Sequence, residues 1–379
     1  MRISIIANGF QEHYIYNLLN SLANEDLKIE FISSDIYSKD RLDKKIKLIN
    51  LRGSHDENVS VIRKFIRLII YYFRLARYLF MAKVELIHIQ WYRFTFLEGI
   101  VISLWARLCG KKVFYTAHDV LPHGRTHVLN RIIFWFIYRF QNIIIVHTEF
   151  IKSRLTDEFG ISEKKIHVVK HGVYEVADNG IEEKDARKRF KLDETEFVLL
   201  FFGYITSYKG LPLLFNALQG IGSGIRLKLI IAGKVADEYK AEMDDLVMKY
   251  KSDDIILLLK FITDEEVDLL FKACNATILP YTEASQSGVL FMSYAYGRPV
   301  VAPDLGGFPY DIEEGKTGYL FTAGNVDSLK QSITKLYGEW STKQKSDYEY
   351  IMRFANQNYS WQASAKQLDQ IYRTVLNFK

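Results

Sequence analysis

Two stretches in the second half of this sequence place charged, small and hydroxyl residues where an apolar run gives way to a helix. The first is Pro280-Tyr281-Thr282-Glu283-Ala284-Ser285-Gln286-Ser287-Gly288-Val289, with Ser293-Tyr294-Ala295-Tyr296-Gly297-Arg298-Pro299-Val300-Val301-Ala302 after it. A strand ending near Leu279 meets a turn, then an acid, then small residues that open a helix. Ser287, Gly288 and Val289 form the first turn of that helix, where backbone N–H groups and the helix dipole favour an anion. Glu283, just before that turn, suits hydrogen bonds from hydroxyls. The second stretch is Phe201-Phe202-Gly203-Tyr204-Ile205-Thr206-Ser207-Tyr208-Lys209-Gly210, after the strand 196–202. Lys209 is expected to open a helix through Leu218, a position where an ammonium can meet a diphosphate. A phosphate cradle beside a hydroxyl-binding carboxylate is what a nucleotide sugar requires.

The elements around these motifs alternate. Short apolar runs at 2–7, 27–33, 84–89, 112–117, 143–146 and 166–169 read as strands. A second series follows at 196–202, 226–232, 255–259, 276–280, 299–302 and 318–321, with helices in the gaps. Such alternation gives parallel sheets covered by helices on both faces. The charged run Asp178 to Lys191 separates the series. The expected organisation is a doubly wound domain over 1–172, a linker at 173–190, a second over 191–355 and a terminal helical segment over 356–379. Ligands in such sheets sit off the carboxyl ends of the strands, which is where both motifs fall.

Composition narrows the class. Apolar residues make up 49% and charged residues 25% of 379 residues, enough for two packed domains and too apolar for a disordered chain. Cys109 and Cys274 lie far apart in apolar runs and read as reduced, buried thiols. A formal net charge of +5 is too small, and its positive charge too localised, to argue for nucleic acid. Met1 to Ala7 reads as a buried strand and not a secretory leader, so a cytoplasmic location is expected. One glycine, Gly9, follows that strand, which argues against a dinucleotide coenzyme. Gly220-Ile221-Gly222-Ser223-Gly224 precedes a strand, the wrong side for phosphate, and reads as a connecting turn.

In order and spacing, these motifs resemble the family 4, "group 1" type, retaining glycosyltransferases of GT-B fold. The likeness extends through Leu229-Ile230-Ile231-Ala232-Gly233, Lys260-Phe261-Ile262-Thr263-Asp264-Glu265-Glu266-Val267, Asp304-Leu305-Gly306-Gly307 and Glu314-Gly315-Lys316-Thr317-Gly318-Tyr319-Leu320. It implies two Rossmann-like domains facing a cleft, the terminal helix crossing back to the first. It implies transfer of a hexosyl group from a UDP- or GDP-linked sugar to a lipid-linked or oligosaccharide acceptor in surface glycan assembly, without a metal or other cofactor. Gly203, Lys209, Ser287, Gly288 and Val289 would hold the diphosphate, Gly233, Phe261 and Ile262 the nucleoside, and Glu283 the sugar. Two departures stand out. The family's Arg after the first Gly is Tyr204 here. The family's second Glu falls on Phe291 or Met292.

In the first half, Tyr115-Thr116-Ala117-His118-Asp119-Val120-Leu121-Pro122-His123-Gly124-Arg125 follows a strand. By resemblance His118 faces the transferred sugar, and Asn8, Gly9, Asp119 and His123 line the acceptor side. The His and Asp spacing fits no standard zinc pattern. His88 reads as a satisfied core residue or one lining the acceptor side, and His171 marks the entry to the linker. The run 61–83 carries Arg63, Lys64, Arg67, Arg74, Arg77 and Lys83 and no acid, between many aromatic and aliphatic residues. It is too interrupted by charge to span a membrane. Two readings stay open: a helix lying on an anionic membrane surface, extended by Arg131 to Phe140, or an ordinary domain helix with one face in the core. Two rival functions are a degenerate glycosyltransferase serving as a binding partner and a sugar-nucleotide epimerase.

Overall fold

The computed structural model describes residues 1–8, 11–56, 58–121, 127–174, 176, 180–222, 224–340, 342 and 345–377. The chain divides into two compact units, Met1–Gly172 with Tyr359–Lys379, and Val173–Asn358.

The first unit holds strands β1 (Arg2–Ile6), β2 (Lys28–Ser33), β3 (Ile46–Asn50), β4 (Leu86–Ile89), β5 (Lys112–Ala117), β6 (Ile143–Val146) and β7 (Ile166–Val168). Among the described residues they form one sheet, ordered β3-β2-β1-β4-β5-β6-β7, and every pairing is parallel. The chain winds outward on one side from β1 and then on the other from β4, so the switch point lies between those two strands. β3 was not expected. It is an edge strand with Lys47 and Asn50 exposed, and its charged, half-buried pattern hides it among loop residues. One sheet face is covered by helices Glu12–Leu22 and Trp361–Leu376, the other by Val61–Met81, Ser103–Leu108, Val128–Phe140 and Glu149–Phe159. The terminal helix thus belongs to the first unit. It buries Trp361, Ala365, Leu368, Ile371 and Tyr372, each large side chain worth about 2 kcal/mol of apolar burial. Its Ser364 hydroxyl donates to the Lys170 carbonyl at 2.7 Å.

The second unit holds β8 (Phe197–Phe202), β9 (Leu227–Ala232), β10 (Ile255–Leu258), β11 (Ala276–Ile278), β12 (Val300–Pro303) and β13 (Gly318–Phe321). Their order is β10-β9-β8-β11-β12-β13, again all parallel, with the switch point between β8 and β11. The expected linker needs correction. Glu183–Arg189 inside it is a helix of the second unit, with Ala186 buried. Its buried Arg187 donates to the carbonyls of Ala273 at 3.2 Å and Glu196 at 2.6 Å. The run looks like a linker because its other side chains are charged and solvated.

Glycines set how close the loops at the strand ends come. Gly233, with φ at 149°, leaves no room for a side chain: a Cβ there would stand 1.8 Å from the Gly203 carbonyl oxygen. Gly233→Ala should therefore cost about 3 kcal/mol of stability in urea unfolding, since backbone must give way. A change within about 0.5 kcal/mol would show that the loops after β8 and β9 do not meet as described.

Candidate functional site

The two motifs converge at the switch point of the second unit, where such sheets bind ligands. Lys209 does not open a helix as expected. It closes a single 3-10 turn, Ser207–Lys209, ended by Gly210 at φ 71°, and the helix starts at Leu211 with Pro212 in its first turn. Gly210 is needed because a Cβ would stand 1.8 Å from the Pro280 carbonyl oxygen. That contact brings the Lys209 loop against the loop after β11. Lys209 is buried, its Nζ donating to the Tyr281 hydroxyl at 2.5 Å and lying 4.0 Å from that ring's centroid. The Tyr281 hydroxyl is 3.4 Å from Ser287 Oγ. A Cβ at Gly203 would lie 3.6 Å from Val289 Cγ2 and 4.0 Å from Lys209 Nζ. Gly203, Lys209, Tyr281, Ser287 and Val289 therefore form one constellation.

Its electrostatics are lopsided. Burial lowers the Lys209 ammonium to about 8, the nearby Tyr208 offsetting this slightly, and no carboxylate contributes. Helix Gly288–Ala295 begins beside this cation. The N–H groups of a helix's first turn lack carbonyls four residues back, and here Leu290 N donates to the Ser287 carbonyl at 3.2 Å. The Ser287 hydroxyl makes no cap bond to them. Above Gly288 a Cβ would come 3.3 Å from the Tyr174 hydroxyl. A buried cation beside a helix N-terminus is an arrangement that can bind an anion.

Glu283 is exposed on a braced loop. Thr282 N and Oγ1 donate to the Tyr208 carbonyl at 2.9 and 3.3 Å. Gly307 N donates to the Ser285 carbonyl at 3.0 Å. The Asp304-Leu305-Gly306-Gly307 motif thus supports the acid's loop. Of the residues expected to hold a nucleoside, Gly233 follows β9, and Phe261 and Ile262 follow β10. Phe261 is 75% exposed, while Ile262 packs in the core and offers only backbone. Tyr204 is half exposed at the position of the family's arginine. Phe291 is buried and Met292 packs on the core, so neither stands in for a ribose-binding acid.

In the first unit, His118 directly follows β5, buried, with neither ring nitrogen making a hydrogen bond of ordinary geometry. It stacks on Trp91 at 4.2 Å and 6°, with Tyr14 5.1 Å and His147 5.0 Å away. Burial, then the neighbouring histidines, holds it well below the usual imidazole range, so it is neutral. Asp119 is half-buried beside it. Asn8 is buried, its amide donating to the Tyr71 hydroxyl at 3.2 Å. Gly9 and His123 lie outside the described residues. His88 is a satisfied core residue, with Nδ1 2.6 Å from the Tyr372 hydroxyl and Nε2 2.8 Å from Thr116 Oγ1. His171 Nδ1 donates to the Gly172 carbonyl at 2.6 Å. Among the described residues no group of three or more His, Cys, Asp or Glu is placed to hold a metal.

Two family models match this chain: Glycosyltransferase Family 4 over residues 11–175, and Glycosyl transferases group 1 over residues 182–352. Together they span nearly all of it. The chain belongs to the family 4, group 1 glycosyltransferases. Solved structures agree on the fold. Sucrose-phosphate synthase from Thermosynechococcus elongatus superposes with a TM-score of 0.78 at 17% identity, covering 100% of both chains. HepE of Anabaena, in complex with UDP-glucose, gives 0.77 at 16% identity, covering 99% of this chain and 100% of that one. The capsular polysaccharide biosynthesis glycosyltransferase CapM of Staphylococcus aureus is 24% identical over 242 residues, 62% of each chain. The matched region spans between 52% and 62% of the length of the curated relatives compared. Within this glycosyltransferase, sequence reasoning missed Tyr281 and Tyr174. Tyr281 carries a readable signal, since an aromatic hydroxyl follows a strand end beside the motif's acid. Tyr174 carries none, because its place is set by packing over a helix that comes more than a hundred residues later.

Proposed function

We propose that this glycosyltransferase moves a hexosyl group, with retention, from a UDP- or GDP-linked sugar to a lipid-linked or oligosaccharide acceptor in surface glycan assembly. The observation that carries the reading is the buried Lys209 ammonium, with no acidic partner among the described residues, beside the first turn of helix Gly288–Ala295. A departing nucleoside diphosphate develops negative charge there, and preorganised donors stabilise it most in a dry site. Glu283 holds sugar hydroxyls. His118, held neutral by burial, is the residue of the first unit assigned to the transferred sugar. The donor's own phosphate takes the acceptor proton, and no metal or other cofactor takes part. HepE's complex with UDP-glucose supports the donor class.

The acceptor's lipid character is supported by helix Val61–Met81. It buries Tyr71, Leu75 and Leu79, while Val61, Ile62, Phe65, Phe73 and Phe80 are each more than 60% exposed. The Tyr71, Leu75 and Leu79 side fits a domain helix packed on the core, and the exposed apolar side chains beyond it favour the membrane reading. Phe80 stacks on Trp105 at 6.5 Å, extending the apolar surface to the next helix. No helix among the described residues is long and apolar enough to cross a membrane. We propose peripheral contact with an anionic membrane at its cytoplasmic face, the interspersed Arg and Lys adding electrostatic attraction. The exposed Tyr204 favours one alternative, a degenerate partner subunit that binds nucleotide without turnover.

The test is a thermal-shift panel of UDP-, GDP-, ADP- and dTDP-sugars with and without magnesium, followed by product analysis of the anomeric configuration. One nucleotide class should stabilise the chain without metal. No shift with any donor sinks the proposal, and a shift without product favours the partner subunit. Glu283→Gln should lower turnover about tenfold or more while binding of free UDP stays unchanged. Equal loss of UDP binding would move Glu283 from the sugar to the nucleotide.

A further inference from the structure

Beside the switch point of the first unit lies a groove of about 490 Å³, the size of a small-molecule site. Four cations line it: Arg52, Lys64, Arg67 and Arg93. They come from three segments, after β3, the start of helix Val61–Met81, and after β4. Its apolar wall is Val61, Phe65, Leu68 and Phe94. Asp56 is the single acid among the described lining residues. Among the described residues, the ion pairs of this unit fall elsewhere, as at Lys47–Glu30, Arg131–Glu158 and Lys152–Glu163.

The cations are positioned, not scattered. Arg52 Nη1 donates to the Asn8 carbonyl at 3.0 Å, at the end of β1. Arg67 Nη1 reaches the Ser54 carbonyl at 3.5 Å. The loop carrying Arg93 is tied by the buried Glu98 carboxylate, which accepts from Arg93 N at 2.5 Å and from the Tyr72 hydroxyl at 2.8 Å. Glu98 sits in a π-helical turn, Leu97–Ile102, a distortion frequent at functional sites.

We propose that this groove binds the phosphate head of one aliphatic-chain phosphate, the carrier of the lipid-linked acceptor. Arg and Lys converging on one hollow suit a phosphate mono- or diester. The apolar wall continues into the exposed Val61 and Phe65 and gives the chain's first carbons a path toward the membrane. A flat membrane surface would not need a concave site fed by three segments. The proposal rests on the acceptor reading above and on no donor contact.

The experiment is calorimetric titration of the full chain with dodecyl phosphate below its micelle-forming concentration, beside inorganic phosphate and the neutral dodecyl maltoside. Saturable one-to-one binding of dodecyl phosphate is expected, with both comparison compounds weaker by about tenfold or more. Lys64→Ala/Arg93→Ala should weaken it by about a hundredfold, and the milder Lys64→Met/Arg93→Gln likewise. Arg74→Ala/Arg77→Ala, on the same helix outside the groove, should leave it unchanged. Equal loss in both pairs would overturn the groove in favour of general surface charge. Inorganic phosphate binding as tightly would overturn the amphiphile, and no saturable binding would overturn both. UDP binding by the same variants should match the unchanged chain. Failure of UDP to bind any of them would count against the donor reading while leaving this result intact.

Discussion

Lys209→Ala should lower turnover by about 10²- to 10³-fold, with the fold intact, because it removes the one buried cation at the strand-end constellation. The size follows from its surroundings. An ammonium out of water, lowered to about 8 by burial and bonded among the described residues to a tyrosine hydroxyl, interacts strongly with an incoming diphosphate. Melting temperature is expected to hold or rise, since a buried unpaired cation is costly. The pH dependence has a definite sign. Below about 8 the amine carries its charge; above that it becomes neutral and loses its attraction for phosphate. Affinity for UDP should therefore fall toward tenfold per pH unit above that value, with proton uptake on binding near it. Calorimetry in two buffers of different ionisation heat reads the uptake. A flat affinity from about pH 7 to 9.5, or a Lys209→Ala variant with near-normal turnover, would remove the diphosphate assignment.

Acidification should unfold the first unit while leaving the second folded. All nine histidines precede residue 172, and the second unit, Val173–Asn358, has none. Burial lowers His88 to about 3, His147 to about 4 and His171 to about 3, and holds His118 well below its ordinary value. Their folded values are depressed, so the unfolded chain binds protons first. The stability they contribute is complete above the unfolded value near 6.5. It is lost as pH falls below 6.5, until the folded values near 3 to 4 are reached. Each buried histidine then costs about 1.4 kcal/mol per pH unit, and four together on the order of 5 kcal/mol. That is comparable with the whole stability of a domain. Calorimetric scans from about pH 7.5 down to 5 should show one transition moving sharply to lower temperature and one nearly fixed. His118→Phe, which keeps the ring stack on Trp91, should reduce the slope by about a quarter. A transition temperature for the first unit that does not move over this range would show that these imidazoles are not held neutral by burial.

Much of the fold was open to reading in the sequence. Unbroken apolar strands with Gly-marked turns fix parallel sheets, because such strands must be buried on both faces. The edge strand Ile46–Asn50 and the helix Glu183–Arg189 escaped, since each shows half its surface to water and reads as charged loop. Lys209, Glu283 and Ser287 to Val289 were legible because each follows a strand end or opens a helix, and chain geometry alone puts such residues at the ligand edge. Their partners were not. Gly203 meets Gly233, and Gly210 meets Pro280, through backbone contacts that leave no sequence pattern beyond the glycine itself. Tyr281 becomes the lysine's neighbour only because β8 and β11 pair, across some seventy residues.

The sequence by itself determined two things about this protein: the alternation that builds two parallel sheets, and the residue types at their carboxyl ends. Both are local, set by hydrophobic period and by the turn chemistry of Gly, Pro and Ser. Only the tertiary structure decided which of those residues share a dielectric and a field. Burial lowers Lys209, neutralises the histidines around Tyr14, and leaves the apolar side of helix Val61–Met81 facing outward. Those outcomes depend on what packs against each side chain from distant parts of the chain, and no spacing along the sequence encodes them.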